Sequence, residues 1–150
     1  MQNILFRSCV ESDLTAVQTM CDRLYETDPN TSQSRPEIAS TFMELSRRPD
    51  KGRLIVFQKQ EKIVGYGIII FFWSNEYNGD VIEIDELYVA DSERGSGVAT
   101  GLFNWLDETF GTTAAGFSLQ VAHKNEAAAR LYRRLGFSPS RDQHMIRLLT

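Results

Sequence analysis

Cysteine is scarce in this chain: Cys9 and Cys21 are the only two in 150 residues. They have no metal-ligand spacing and no partner cluster, which excludes a disulfide framework and a cysteine-built metal centre. We expect two buried thiols, a reducing, cytoplasmic compartment and no metal. Long apolar runs are missing too. The longest, IIIFFW from Ile68 to Trp73, is far short of the roughly 20 residues that span a bilayer and suits a buried strand. MQNILFRSCV at the start lacks a signal-peptide pattern. No membrane partner is therefore expected. Positive charge is in deficit, with 16 Lys and Arg against 20 Asp and Glu and a net charge of −4. That argues against nucleic acid as a partner and suits a cationic small molecule. Repeats, low-complexity tracts and a linker are absent, so one domain spanning 1–150 is expected, long enough to bury a substantial core.

The elements that remain form a clear order. NILFRS (Asn3–Ser8) reads as a short strand. Ser12 or Asp13 can cap a helix with Leu14, Val17, Met20, Cys21 and Leu24 at helical spacing. A second helix lies in RPEIASTFMELSRRPD, with Pro36 near its first turn and Pro49 after its end. KGRLIVFQKQEKIVGYGIIIFFW is a hairpin turning near Gln60–Lys62, and Asp80–Ala90 is a third long strand. A helix follows with Val98, Leu102, Trp105 and Leu106 on one face. Gly116–Ala122 is a strand, NEAAARLYRRLG a helix closed by Gly136, and SRDQHMIRLLT a terminal strand. The expected fold is a single α/β domain, a mixed, mostly antiparallel sheet flanked by about four helices.

Between the third long strand and its helix stands ERGSGVATGLF (Glu93–Phe103). Glycine costs backbone entropy, so a cluster of it needs a reason. The first turn of a helix has N–H groups without intrahelical partners and carries partial positive charge. Small residues let an anion approach those groups, and Arg94 adds a full charge, so the stretch suits a phosphate or pyrophosphate. An NTPase loop would end in Gly-Lys-Ser/Thr, but Val98 and Ala99 follow Gly97. A dinucleotide fingerprint would need glycine at position 100, which is Thr100. An arginine-x-x-glycine-x-glycine/alanine pattern fits Arg94 through Ala99. The alternative is a glycine-rich turn with no ligand.

That pattern resembles the acyl-CoA loop of the GNAT family of N-acetyltransferases, and NEAAARLYRRLGF (Asn125–Phe137) resembles the family's other signature. Asn125, Ala129 and Tyr132 share one helix face, Ala128, Leu131 and Leu135 form an adjacent apolar stripe, and Arg130, Arg133 and Arg134 point elsewhere. The resemblance covers about Arg53 to Phe137 and is vaguer over the first two helices. It implies acetyl transfer from acetyl-CoA to an amine with no covalent enzyme intermediate. The backbone of Leu87, Tyr88 and Val89 would bind the pantetheine arm. Gly95, Ser96, Gly97, Val98, Ala99 and Thr100 would bind the pyrophosphate through their N–H groups. Asn125 would hydrogen-bond the cofactor, and Tyr132 would protonate the departing thiolate. Taken alone, Tyr132 also reads as a core aromatic.

An amine with a pKa near 10 must lose a proton before it attacks, and a carboxylate assists. Glu83, Asp85 and Glu86 in EIDELYV lie beside the cofactor strand, and strand alternation sets Asp85 and Glu86 on opposite faces. Each is alternatively a strand-end charge in an ion pair. Within the family, Val64 to Ala99 is most similar to the diamine and polyamine acetyltransferases, although Asp85-Glu86 reverses their usual Glu-Asp order. Glu26 and Asp28 could add negative charge for a polyamine or stay solvated. An aminoglycoside or a lysine-like amino acid is the alternative acceptor. A non-catalytic acyl-CoA-binding module is the alternative class, and a homodimer is the expected assembly.

Overall fold

A computed structural model describes residues 3–27 and 35–149. The chain divides into two compact units, Met1–Gln120 and Val121–Thr150.

The first unit is built on a five-stranded sheet. Its strands are β1 (Ile4–Ser8), β2 (Gly52–Lys59), β3 (Lys62–Ser74), β4 (Gly79–Val89) and β5 (Ala114–Leu119), in the spatial order of the chain. The first four pair antiparallel, and β5 pairs parallel to β4 after a crossover through α3 (Val98–Phe110). Helices α1 (Leu14–Thr27) and α2 (Ile38–Arg47) fill the connection from β1 to β2.

Helices cover both faces, so the middle of β2 is apolar and buried throughout, from Leu54 to Phe57. Leu54, Val56, Tyr66, Ile68 and Tyr88 pack against Val17, Cys21, Ile38 and Leu45 of α1 and α2. Phe6 and Phe71 turn to α3, with ring centroids 6.2 Å from Trp105 and 5.6 Å from Phe110 respectively. Each large apolar side chain buried this way contributes about 1.5–3 kcal/mol. Gly65 serves this packing: a Cβ there would lie 2.5 Å from both the Phe57 ring and the Tyr88 carbonyl oxygen. Both cysteines are free and buried, as expected.

Two helix starts differ from the sequence reading. Glu11–Asp13 form a 3-10 turn before α1. Asp13 does not cap forward but reaches back, accepting from the Val10 N–H at 2.9 Å and from the Arg7 guanidinium at 2.7 and 3.0 Å. Pro36 stays outside α2, whose first N–H, that of Ile38, donates to the Gln18 side chain of α1 at 2.8 Å. In α3, Phe103 and Phe110 are buried alongside Val98, Leu102 and Leu106.

The second unit holds α4 (Glu126–Arg134), with Glu126 in its first turn and Arg133 and Arg134 in its last, matching the helix dipole. Gly136, at φ 96°, ends it. Its N–H donates to the Arg133 carbonyl at 3.1 Å and that of Phe137 to the Tyr132 carbonyl at 2.9 Å, which is a Schellman closure. The expected terminal strand does not form: residues 138–149 contain no strand, and Met145, Ile146, Leu148 and Leu149 are each more than three-quarters exposed. The apolar pattern that suggested a strand has no pairing partner among the described residues.

Candidate active site

The site grows from the second half of β4. β5 accompanies β4 only from Asp80 to Ile84. Beyond that, β4 has β3 on one side and no described strand on the other. The Ala90 N–H donates to the Val64 carbonyl at 2.8 Å. Antiparallel pairs alternate between bonded and non-bonded, so Tyr88 spends its backbone groups on Tyr66, while Leu87 and Val89 aim theirs at the open side. Of the three residues expected to hold an extended ligand arm, two therefore present backbone groups to it. The Val89 carbonyl already accepts from Arg94 Nε at 3.0 Å.

The glycine turn follows directly. Gly95 and Gly97 have φ of 75° and 88°, a region that residues with a side chain rarely adopt, and an added Cβ at either would meet nothing within 4 Å. Gly97 is the N-cap of α3 and offers no side-chain cap. The first intrahelical acceptor is its carbonyl, which takes the Gly101 N–H at 2.9 Å. The N–H groups of Val98, Ala99 and Thr100 therefore have no intrahelical acceptor and point out of the helix end. Ser96 Oγ braces the turn by donating to the Glu93 carbonyl at 2.5 Å. Arg94 is folded back, ion-paired with Asp91 at 3.1 Å and 5.5 Å from the Tyr88 ring. It stiffens the turn as well as charging it. An exposed backbone cradle with a positive dipole end fits the pyrophosphate of a coenzyme A thioester.

The acidic stretch corrects one expectation. Asp85 and Glu86 do not face opposite sides. Ile68 pairs with Glu86 and Ile69 with Ile84, so Asp85 is the extra residue of a β-bulge. The bulge resets the alternation, and both carboxylates line one cavity of about 460 Å³ between α2 and the sheet. Ile68, Ile70 and Leu45 supply its apolar walls. Glu44 and Lys51 also line it, but Glu44 is paired with Lys51 and Arg47, both at 2.5 Å. Those hydrogen bonds, Lys51 first, hold the Glu44 carboxyl down at about 2. The surplus negative charge of the cavity is thus that of Asp85 and Glu86. The Asp85 carboxyl is raised above its ordinary range, first by burial among its neighbours and then by repulsion from Glu83, although the residue keeps an accessible face. Glu83 itself is bound by the Ser118 hydroxyl.

Sequence reasoning missed the residues behind Glu86. Tyr25 Oη donates to Glu86 Oε2 at 2.6 Å, Tyr66 Oη to Oε1 at 2.8 Å, and the Cys21 thiol lies 4.0 Å from Oε1. They come from α1 and β3, 20 to 65 positions away. Burial pushes the Cys21 thiol up to about 11.

The second unit carries the other two expected residues. Asn125 Oδ1 caps α4 by accepting from the Ala128 N–H at 3.2 Å. The Tyr132 ring meets Phe137 edge-on, with centroids 6.0 Å apart, so the helix-ending Gly-Phe pair also orients the tyrosine. Burial raises the Tyr132 phenol above its ordinary value. Glu26 is exposed near the end of α1, and Asp28 lies outside the described residues. Among the described residues no helix is long and apolar enough to cross a membrane, and no group of acidic, histidine or cysteine side chains could hold a metal.

Comparison with known proteins places this architecture in a class. The family model for the acetyltransferase (GNAT) family matches residues 17–137. The chain belongs to that family: it is a GNAT-type acetyltransferase, and its co-substrate is acetyl-CoA. An acetyltransferase of Trypanosoma brucei is similar over 97% of this chain and all of its own, with 25% identity and a TM-score of 0.73. A possible acetyltransferase from Clostridium difficile 630 is similar over 98% and 99% of the two chains, with 20% identity and a TM-score of 0.77. The ribosomal-protein-alanine N-acetyltransferase of Brucella melitensis biovar Abortus 2308 shares 16% identity over 97% and 99%, with a TM-score of 0.76. The last two likenesses are of fold. No curated protein sequence matches the chain.

Proposed function

We propose that residues 1–150 work as one N-acetyltransferase domain that passes the acetyl group of acetyl-CoA directly to a primary amine of a small cationic acceptor, of diamine or polyamine type. The observation that carries the acceptor class is the cavity that Asp85 and Glu86 share, acidic at its β4 edge and apolar along Ile68, Ile70 and Leu45. An alkyl diamine matches both properties: one ammonium for the carboxylates and a methylene chain for the wall.

In this reading the N–H groups of Gly95 to Thr100 hold the pyrophosphate, and the backbone of Leu87 and Val89, with Tyr88 between them, aligns the pantetheine arm. Asn125 binds the cofactor through its amide. A carboxylate of the acidic pair removes the ammonium proton. The free amine attacks the thioester carbonyl, whose developing oxyanion is stabilised by backbone N–H. A C–N bond forms, the C–S bond breaks, and Tyr132 protonates the thiolate. A thiol near 8.5 needs only a modest acid, and a phenol raised by burial keeps its proton until then. We assign the enzyme to the cytoplasm, as a homodimer.

The test is release of CoA thiol from acetyl-CoA with polyamines, diamines, lysine analogues, aminoglycosides and peptide N-termini. Diamines or polyamines should give the highest kcat/KM. A best acceptor of net negative charge removes the acceptor assignment, and acetyl-CoA binding without turnover on any amine selects the non-catalytic module.

A further inference from the structure

The two carboxylates of the cavity are held in different ways. Glu86 is clamped: a phenol donates to each of its oxygens, Tyr25 from α1 at 2.6 Å and Tyr66 from β3 at 2.8 Å. Tyr66 is fully buried, and Cys21, fully buried beside it, closes the inner side. Asp85 is the unpaired residue of the bulge, and no described side chain donates a hydrogen bond to it. One carboxylate is fixed in place by donors; its neighbour is accessible and carries nothing.

We propose that Tyr25 and Tyr66 are positioning residues that fix Glu86 as an anionic anchor for the acceptor ammonium, while Asp85 takes the proton. The inference rests on the amine-acetylation reading above and divides its acidic pair into two roles. A carboxylate whose two oxygens already accept from phenols has fewer free lone pairs and is held in one orientation, which suits it to binding. An accessible carboxylate raised by its surroundings is a better match for a proton acceptor, since its affinity for the proton is higher. The groups around the acidic pair are Glu83 on β4, Tyr25 and Cys21 on α1, Glu44 on α2, Lys51 before β2 and Tyr66 on β3; of these Glu83 and Tyr25 sense Asp85 directly, and Cys21 and Tyr66 face Glu86. Burial, and the bond to Glu86, push both phenols above their ordinary values, so neither gives up its proton near neutrality.

The protons balance. The ammonium gives one to Asp85, which passes it to water. The nitrogen sheds a second to water as the C–N bond forms and the C–S bond breaks, the thiolate gains one from Tyr132, and water returns one to Tyr132, so one proton is released overall.

The experiment measures binding and turnover of 1,4-diaminobutane by the full chain. Calorimetry is done with CoA present, and kcat and KM are followed from pH 5.5 to 9.5. Wild type reads the underlying reaction first: if it neither binds nor acetylates this or any other amine of the screen, the acetylation reading falls, and this one with it. Given wild-type activity, Tyr66→Phe and Tyr25→Phe, which keep the rings, should each raise the diamine Kd and KM about tenfold. Their kcat, pH profile and acetyl-CoA KM should stay within about threefold, the last also certifying the fold. Asp85→Asn should leave the diamine Kd within about threefold, lower kcat about 10²-fold, and remove the acidic limb of kcat/KM. Tyrosine variants with an unchanged diamine Kd, or Asp85→Asn that keeps both its kcat and its acidic limb, overturn the division.

Discussion

Helices α3 and α4 each begin where a ligand is expected, yet their first turns are finished differently. At α3 the N-cap is Gly97, which brings no side chain, and the N–H groups of Val98 to Thr100 have no intrahelical acceptor. At α4 the N-cap is Asn125, whose Oδ1 takes the Ala128 N–H. Three or four unsatisfied donors are a liability at any helix end, and most chains spend a polar side chain on them. α1 goes further, with Asp13 tied to Arg7 and to the Val10 N–H at its lead-in turn. In the function proposed above, the α3 end is left without a side-chain cap so that a ligand can complete it. The α4 and lead-in α1 ends are finished from within, and their polar residues carry a structural duty whatever else they do.

The largest expected effect breaks the open end. Gly97→Glu puts a carboxylate and bulk where the pyrophosphate belongs, at a φ of 88° that suits glycine. We expect acetyl-CoA affinity to fall by about 10³-fold or more, read by calorimetry on a protein whose far-ultraviolet circular dichroism is unchanged. Wild-type affinity in that folded variant would make the turn a mere connector. The closed lead-in of α1 should respond in stability instead. Asp13→Asn leaves Arg7 facing a neutral amide, and we expect a loss of about 2–3 kcal/mol, below the range for fully buried pairs because the Arg7 side chain is 29% exposed. The same bond gives a pH signature. The Arg7 hydrogen bonds depress the Asp13 carboxyl, so its contribution is complete above the unfolded-state value of about 3.9 and is lost as pH falls through the lower folded value. Urea midpoints of wild type should therefore drop below pH 4 more steeply than those of Asp13→Asn, and parallel curves would refute the linkage.

Much of this contrast could be read before the structure, and the reason is physical. Glycine spacing before a helix, Asn at a helix start and Gly-Phe at a helix end are local signals, each decided by a few adjacent dihedrals. The hairpin β2–β3, with Gln60 at φ 56°, was legible for the same reason. What stayed hidden was non-local. Alternation breaks in EIDELYV where Asp85 and Glu86 stand side by side, but those letters alone do not say that Asp85 is the extra residue of a bulge. The bulge exists because of how β3 lies beside β4. Tyr25 and Tyr66 went unnoticed because their shared partner is 61 and 20 positions away. The terminal segment has strand-forming residues but forms no strand among the described residues, and propensity alone does not make a strand.

Tyr132 sharpens the comparison at the far end of α4, where the Schellman closure sets its ring against Phe137. Tyr132→Phe keeps that contact and removes the proton. We expect kcat to fall about 10²-fold, equivalent to about 2.7 kcal/mol in the barrier, with the acetyl-CoA Kd within a few fold. Single-turnover measurements should show the loss in the chemical step. A wild-type rate there would confine Tyr132 to packing.

The smallest effect decides whether Asn125 has one duty or two. Asn125→Ala removes a cap, which costs about 1 kcal/mol, and the 3.2 Å length of this bond favours the lower side of that figure. Asn125→Ser restores a capping oxygen without restoring an amide, so it should return the melting temperature to within a degree or two of wild type. The two variants separate the roles because the cap uses only Oδ1. If the Nδ2 amide also holds the cofactor, both variants raise the acetyl-CoA KM several-fold, although only the alanine variant melts early. If the KM follows the melting temperature instead, recovering in the serine variant, then Asn125 is a helix cap alone. In that case α4 contributes to the cofactor site no side chain before Tyr132, and the pyrophosphate cradle at α3 carries the binding.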